Sequence, residues 1–103
     1  MSKKITKHEL MVSIAEAAVS YQRAEFRSSS LRRELNVMRA TYFSAYGRPY
    51  ADTNKRIDPD DDAFAGVIDF TEAAYDRWFE ARNLTTKLKR KMRLLVERLG
   101  RGL

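Results

Sequence analysis

The strongest constraint on this chain is an apolar row that occurs twice, the second time as the mirror image of the first. At alternating steps of four and three, one row reads Leu10, Ile14, Ala17, Tyr21, Ala24, Ser28, Leu31, Leu35, Met38, Tyr42, Ala45. The other reads Phe64, Val67, Thr71, Ala74, Trp78, Ala81, Thr85, Leu88, Met92, Leu95, Leu99. Each is a heptad seam kept up over about five heptads, broken only by Ser28 in one and by Thr71 and Thr85 in the other. Folding the chain back on itself sets Leu10 against Leu99, Ala17 against Met92, Leu31 against Trp78 and Ala45 against Phe64. Small residues then oppose large ones, which is how a seam fills space. The pattern predicts an all-α fold, a long antiparallel two-helix hairpin of coiled-coil type, with Leu31 and Trp78 anchoring the middle of its core.

Helix-end signals bracket both rows and predict one domain over residues 1–103, with a helix at 7–46, a loop at 47–57 and a helix at 59–99. Thr6 and Glu9 have capping-box spacing, and Ile5 and Leu10 that of a hydrophobic staple. Gly47 suits the left-handed position that ends a helix, and Pro49 cannot continue one. Asp58 is expected to cap the second helix, with Pro59 in its first turn and Asp60, Asp61 and Asp62 facing the positive end of its dipole. Two places invite a bend: Ser28–Ser30, where hydroxyls compete for backbone hydrogen bonds, and Gly66. A break at the serines would convert the hairpin into a three-helix bundle.

Composition closes off most chemistry. The 103 residues contain no Cys, which excludes disulfides, thiolate zinc sites and a cysteine nucleophile. His8 is the only histidine and has no acid–base partner in the pattern. Asp58 to Asp69 has an acid spacing like that of a calcium loop, but Ala63 stands where the loop needs Gly and Asp69 where it needs Glu, so capping explains these acids better. There is no phosphate-binding glycine loop and no dinucleotide turn. The expectation is a non-enzyme with no catalytic residue, no metal and no cofactor. Without a membrane-length apolar run or a signal-peptide core, the expected location is cytoplasmic.

Surplus apolar residues and charge point to partners. Val12, Val19, Phe26, Val37, Phe43, Ile68, Phe70, Tyr75 and Phe79 lie off the rows. Two helices cannot cover them all, and large exposed apolar patches mark interfaces. Phe26, Phe70, Tyr75 and Phe79 are therefore candidate partner-binding residues. Formal net charge is +6, and it is segregated: residues 58–80 hold eight acids and one Arg, residues 82–103 eight Lys or Arg and one Glu. Asp69, Glu72, Asp76 and Glu80 are expected to pair with Arg32, Arg33 and Arg39 across the helices, fixing register more than adding stability. Lys87, Lys89, Arg90, Lys91, Arg93, Arg98 and Arg101, with Lys3, Lys4 and Lys7 beside them, form a basic end suited to an acidic protein surface or to phosphates.

In its size, lack of catalytic groups, segregated charge and interface-rich helices, the chain resembles the small helical accessory proteins that bacteriophages use against host machinery, anti-CRISPR inhibitors among them. The resemblance implies stoichiometric inhibition by occupying a host protein or nucleoprotein surface, inside a host cell. The expected partner is thus a protein or nucleoprotein complex. A nucleic-acid-binding accessory role through the basic C-terminal helix is the alternative, and a homodimeric scaffold the third.

Overall fold

A computed structural model describes residues 5–102; Lys3 and Lys4 of the expected basic end lie outside them. The chain is an all-α two-helix hairpin. Helix α1 spans Lys7–Tyr46, a short 3₁₀ turn (η1) Asp62–Phe64, and helix α2 Ala65–Gly100. Among the described residues there is no strand, and no helix is long and apolar enough to cross a membrane. The chain divides into two compact units. One comprises Met1–Ser28 with Glu80–Leu103, the other Ser29–Phe79.

The start of α1 follows its sequence signal. The Glu9 N–H donates to Thr6 Oγ1 at 3.1 Å, and the Thr6 hydroxyl donates back to Glu9 Oε1 at 3.1 Å. Leu10 is fully buried and Ile5 half-buried. Ser28–Ser30 does not interrupt the helix. Gly47 ends it with φ +81°, its N–H donating to the Phe43 carbonyl at 2.8 Å, a left-handed stop that glycine adopts without strain.

The start of α2 differs from the expected cap at Asp58. Asp58, Pro59, Asp60 and Asp61 instead form a β-turn, with Asp at its first position and Pro at its second. The Asp61 N–H donates to the Asp58 carbonyl at 3.1 Å, and the Asp58 side chain accepts from the Asp60 N–H at 2.9 Å. With Asp58 committed to the turn, Asp61 takes the capping role. Its backbone is extended, and its Oδ1 accepts from the Ala63 N–H at 3.0 Å. The residue at the start of the predicted helix, Pro59, is thus a turn residue, and the α-helix proper begins at Ala65.

Both apolar rows face inward. Every fully buried side chain among the described residues belongs to one of them. The two threonines satisfy their own hydroxyls: Thr71, only 4% exposed, donates to the Val67 carbonyl at 2.7 Å, and Thr85 to the Ala81 carbonyl at 2.8 Å. A polar atom bonded inside its own helix can sit in a seam without a partner across it. Ala45 is the one row position that is exposed. The loop supplies what Ala45 does not, since the Tyr50 ring lies 6.1 Å from that of Phe64.

The unit formed by Ser29–Phe79 has the deeper core, built on Leu35, Phe64, Val67, Thr71 and Ala74. Leu31 and Trp78, expected as its anchors, are half-buried. Cross-helix contacts follow the mirror register to within a turn. The Arg32 guanidinium stacks 4.5 Å from the Trp78 ring, Arg77 pairs with Glu34 at 3.2 Å, and Tyr42 meets Phe70 at 5.6 Å. Asp69, Glu72, Asp76 and Glu80 do not pair with Arg32, Arg33 or Arg39 as expected. An ion pair that crosses the helices in this unit has the opposite sense, an acid on α1 and a base on α2. Gly66 makes no break. It leaves room for the Tyr42 hydroxyl, which any Cβ at that position would strike.

The loop is tied to the cap of α2 through Asp61. Asp61 Oδ2 accepts from the Lys55 ammonium and from the Tyr50 hydroxyl, each at 2.9 Å, while Lys55 lies 4.4 Å over the Tyr50 ring. Those bonds, the Lys55 one first and the Ala63 N–H next, hold the Asp61 carboxyl down to about 2. The same bonds push both the Lys55 ammonium and the Tyr50 hydroxyl up.

Candidate functional site

The basic residues of α2, with Arg101 just past its end, fall on two different faces. Lys87, Lys91, Arg98 and Arg101 recur at spacings of four, seven and three, which places them along one helical face. With Arg90 and the exposed Leu94 they line a shallow groove of about 490 Å³, whose floor is the half-buried seam residue Leu95. Lys89 and Arg93, four residues apart, occupy another face and do not line it. Of the expected basic residues, Lys87, Arg90, Lys91, Arg98 and Arg101 thus line this groove, and Lys89 and Arg93 do not. Lys7 is exposed.

The aromatic candidates are all exposed but are not one patch. Phe26 is 72% exposed and has no ring neighbour among the described residues. Phe70 packs on Tyr42. Tyr75 stacks on Phe79 at 6.0 Å with the rings 14° apart, and meets Trp78 edge-on at 5.5 Å. Of the other off-row residues, Phe43 and Ile68 are half-buried, filling the extra apolar position of a normal bundle helix. Val12, Val19 and Val37 stay exposed, as do Met11, Leu84, Leu94 and Val96.

In the Ser29–Phe79 unit the structure assembles a site that sequence reasoning missed. Arg32, Asn36, Arg39 and Phe43 of α1 face Tyr75 and Trp78 of α2 across a groove of about 750 Å³, which Arg48, Arg56 and Ile57 close from the loop side. Its lining holds four arginines, three aromatic rings and no carboxylate. A second hollow of about 350 Å³ shares Arg39, Ile57 and Tyr75 and reaches Pro59, Ile68 and Glu72. Two of the guanidiniums are fixed on rings, Arg32 on Trp78 at 4.5 Å and Arg48 on Phe43 at 4.9 Å, with Arg48 also donating to the Lys55 carbonyl at 2.9 Å.

Arg39 is the least satisfied of the four. It is half-buried, and its Nε is shut off from solvent with no hydrogen-bond partner. Burial pulls its pKa below the ordinary arginine value, and the like charge of Arg32 pulls the same way. The only sequence trace of this site is the heptad spacing of Arg32 and Arg39 on the flank next to Trp78, which reads equally well as a pair of salt-bridge donors. Among the described residues no cluster of three or more His, Cys, Asp or Glu is arranged to hold a metal. In comparisons with known proteins, no family model, no curated protein and no solved structure matches this chain.

Proposed function

We propose that this protein is a non-enzymatic binding module that completes its core against an acidic protein surface, using the unit that contains both chain ends. The observation that carries this reading is the thinness of that unit. Leu10 is the only large side chain fully buried there among the described residues, and Leu88, Met92, Leu95 and Leu99 of the second row are only half-covered. Met11, Val12, Val19, Phe26, Leu84, Leu94 and Val96 remain exposed in the same unit. A helical domain ordinarily covers more of its apolar side chains with a further element, and uncovered apolar surface is where partners bind. The face of Lys87, Lys91, Arg98 and Arg101 beside Leu94 suits a partner rich in carboxylates, by charge complementarity.

This reading agrees with a small inhibitor or accessory protein of the phage type, which would act by occupying a surface of a host protein or nucleoprotein complex. The same cationic face supports a second reading, binding to the phosphates of a nucleoprotein or of free nucleic acid. One experiment separates them: affinity capture by the tagged protein, with and without nuclease, at about 50 mM and 500 mM salt. A protein partner survives nuclease and is lost from a Lys87→Glu, Lys91→Glu, Arg98→Glu variant whose helicity is unchanged. Capture abolished by nuclease moves the function to nucleic acid. A protein that captures nothing and forms concentration-dependent dimers by light scattering serves as its own partner.

A further inference from the structure

We propose that the arginine and aromatic groove of the Ser29–Phe79 unit binds a nucleoside phosphate, either free or as one unit of a single strand. The inference is independent of the partner-binding reading, which rests on the other unit.

Four features of the groove define its ligand. The first is its charge. Arg32, Arg39, Arg48 and Arg56 converge with no carboxylate in the lining, and Arg39 and Arg32 repel each other. Such an arrangement is eased when an anion joins it, since like charges gathered without a counter-charge repel. Phosphate is the anion best matched to it. The planar fork of an arginine presents parallel N–H groups to two oxygens at once, and several forks can share one phosphate.

The second feature is the flat apolar surface between the charges. Phe43, Tyr75 and Trp78 line the groove, and two guanidiniums already lie on the Phe43 and Trp78 rings. A guanidinium stacked on a ring keeps its in-plane N–H edge for an anion, while its outer face and the neighbouring rings form a platform on which a base stacks. A compact anion such as sulfate would leave that platform unused. The third is Asn36, whose amide both donates and accepts and so matches the edge of a purine base. The fourth is size, because a volume of about 750 Å³ falls within the range of small-ligand clefts. An acidic peptide would use the charges but has no need of the stacking platform or the amide.

Trp78 is the only tryptophan in the chain and lines the groove, so its fluorescence reports occupancy directly. The protein is titrated separately with AMP, ATP, a ten-residue oligoadenylate, inorganic pyrophosphate and phosphotyrosine. Saturable quenching is expected from AMP, ATP and the oligonucleotide, with pyrophosphate at least about tenfold weaker. A ranking of oligonucleotide above AMP assigns the site to a strand, and the reverse to a free nucleotide; both uphold the proposal. Arg39→Gln and Arg56→Gln should each weaken AMP at least about tenfold. Arg56 is exposed, so its variant carries the test if Arg39→Gln fails to fold. Arg27→Gln, an exposed residue of the other unit, should leave the AMP titration unchanged. The proposal is overturned by the absence of saturation up to about 10 mM nucleotide, by indifference to Arg56→Gln, or by pyrophosphate binding as tightly as AMP. Phosphotyrosine binding more tightly than AMP would overturn it as well, making the groove a reader of modified protein.

Discussion

Leu35 and Val37 sit two residues apart on α1, and their fates under truncation should be opposite. Leu35 is 0% exposed and belongs to the deeper core with Phe64 and Val67, whereas Val37 is 65% exposed. Truncating a buried Leu to Ala costs about 2–5 kcal/mol, the spread reflecting how far the surroundings collapse into the hole. Here the core is two helices and a loop with no further layer above it, so it can settle inward, and the lower half of the range applies: about 2–3.5 kcal/mol. A domain of this size has about 5–15 kcal/mol in all, so the variant should stay folded but melt about 10–25 °C lower. Val37→Ala removes a mostly solvated side chain and adds helix propensity, so its effect should stay within about 0.5 kcal/mol of zero. The assay is urea unfolding followed by far-ultraviolet circular dichroism, with the slope in denaturant checked for constancy. A Leu35→Ala protein within about 0.5 kcal/mol of the parent would refute the placement of the core. A loss above about 1.5 kcal/mol for Val37→Ala would show that its face is covered in solution.

Three further outcomes follow from particular contacts. Because the folded-state pKa of Asp61 is depressed, its contribution to loop stability is fully present above the ordinary value near 3.8 and is lost as pH falls through about 2; an NMR titration of the Asp61 carboxyl with a midpoint near 3.8 would contradict this, and Asp61→Asn should loosen Tyr50 and Lys55 at neutral pH. Gly66→Ala should gain about 1 kcal/mol of helix propensity only when Tyr42 is also truncated, giving a double-mutant coupling of at least about 1 kcal/mol; additivity within about 0.4 kcal/mol would show that the Tyr42 ring moves aside freely. Reversing Lys87 and Lys91 to Glu should slow partner association and flatten its salt dependence more than reversing Lys89 and Arg93, since only the first pair shares the face beside Leu94; equal effects would mean that net charge alone matters.

Local periodicity made the hairpin legible. A heptad row declares which side chains turn inward without reference to distant residues, and Ala45 alone among those positions is exposed. The stop at Gly47 and the cap at Thr6 were readable for the same reason, because both are made within a single turn. The start of α2 was misplaced since two aspartates three residues apart can each cap a helix, and only the Pro59 turn decides for Asp61. The basic end was legible as composition but not as a surface, because adjacent cations diverge around the helix axis. The arginine groove was hidden because it joins Arg32 and Arg39 to Arg48 and Arg56, which a glycine stop and a folded loop bring back to them. Spacing alone matches Arg32 and Arg39 instead to Asp69, Glu72, Asp76 and Glu80, acids that do not pair with α1 among the described residues.

The tethering of the loop to the α2 cap also bears on the order in which the molecule assembles. Tyr42 and Phe70 are joined by a short stretch of chain that Asp61, Tyr50 and Lys55 already cinch. Contacts between α1 and α2 in the other unit must close loops of at least roughly fifty residues, and the entropy of closure grows with loop length. Closure entropy therefore favours an assembly that starts at the turn and travels outward, one heptad lowering the closure cost of the next. The amide protons of Leu35 and Val67 should exchange last, and those of Leu10 and Leu95 should open by fraying long before global unfolding. The part of the chain that forms last is then also the part with the least-covered core, and a partner that caps it would contribute the closing layer of the fold.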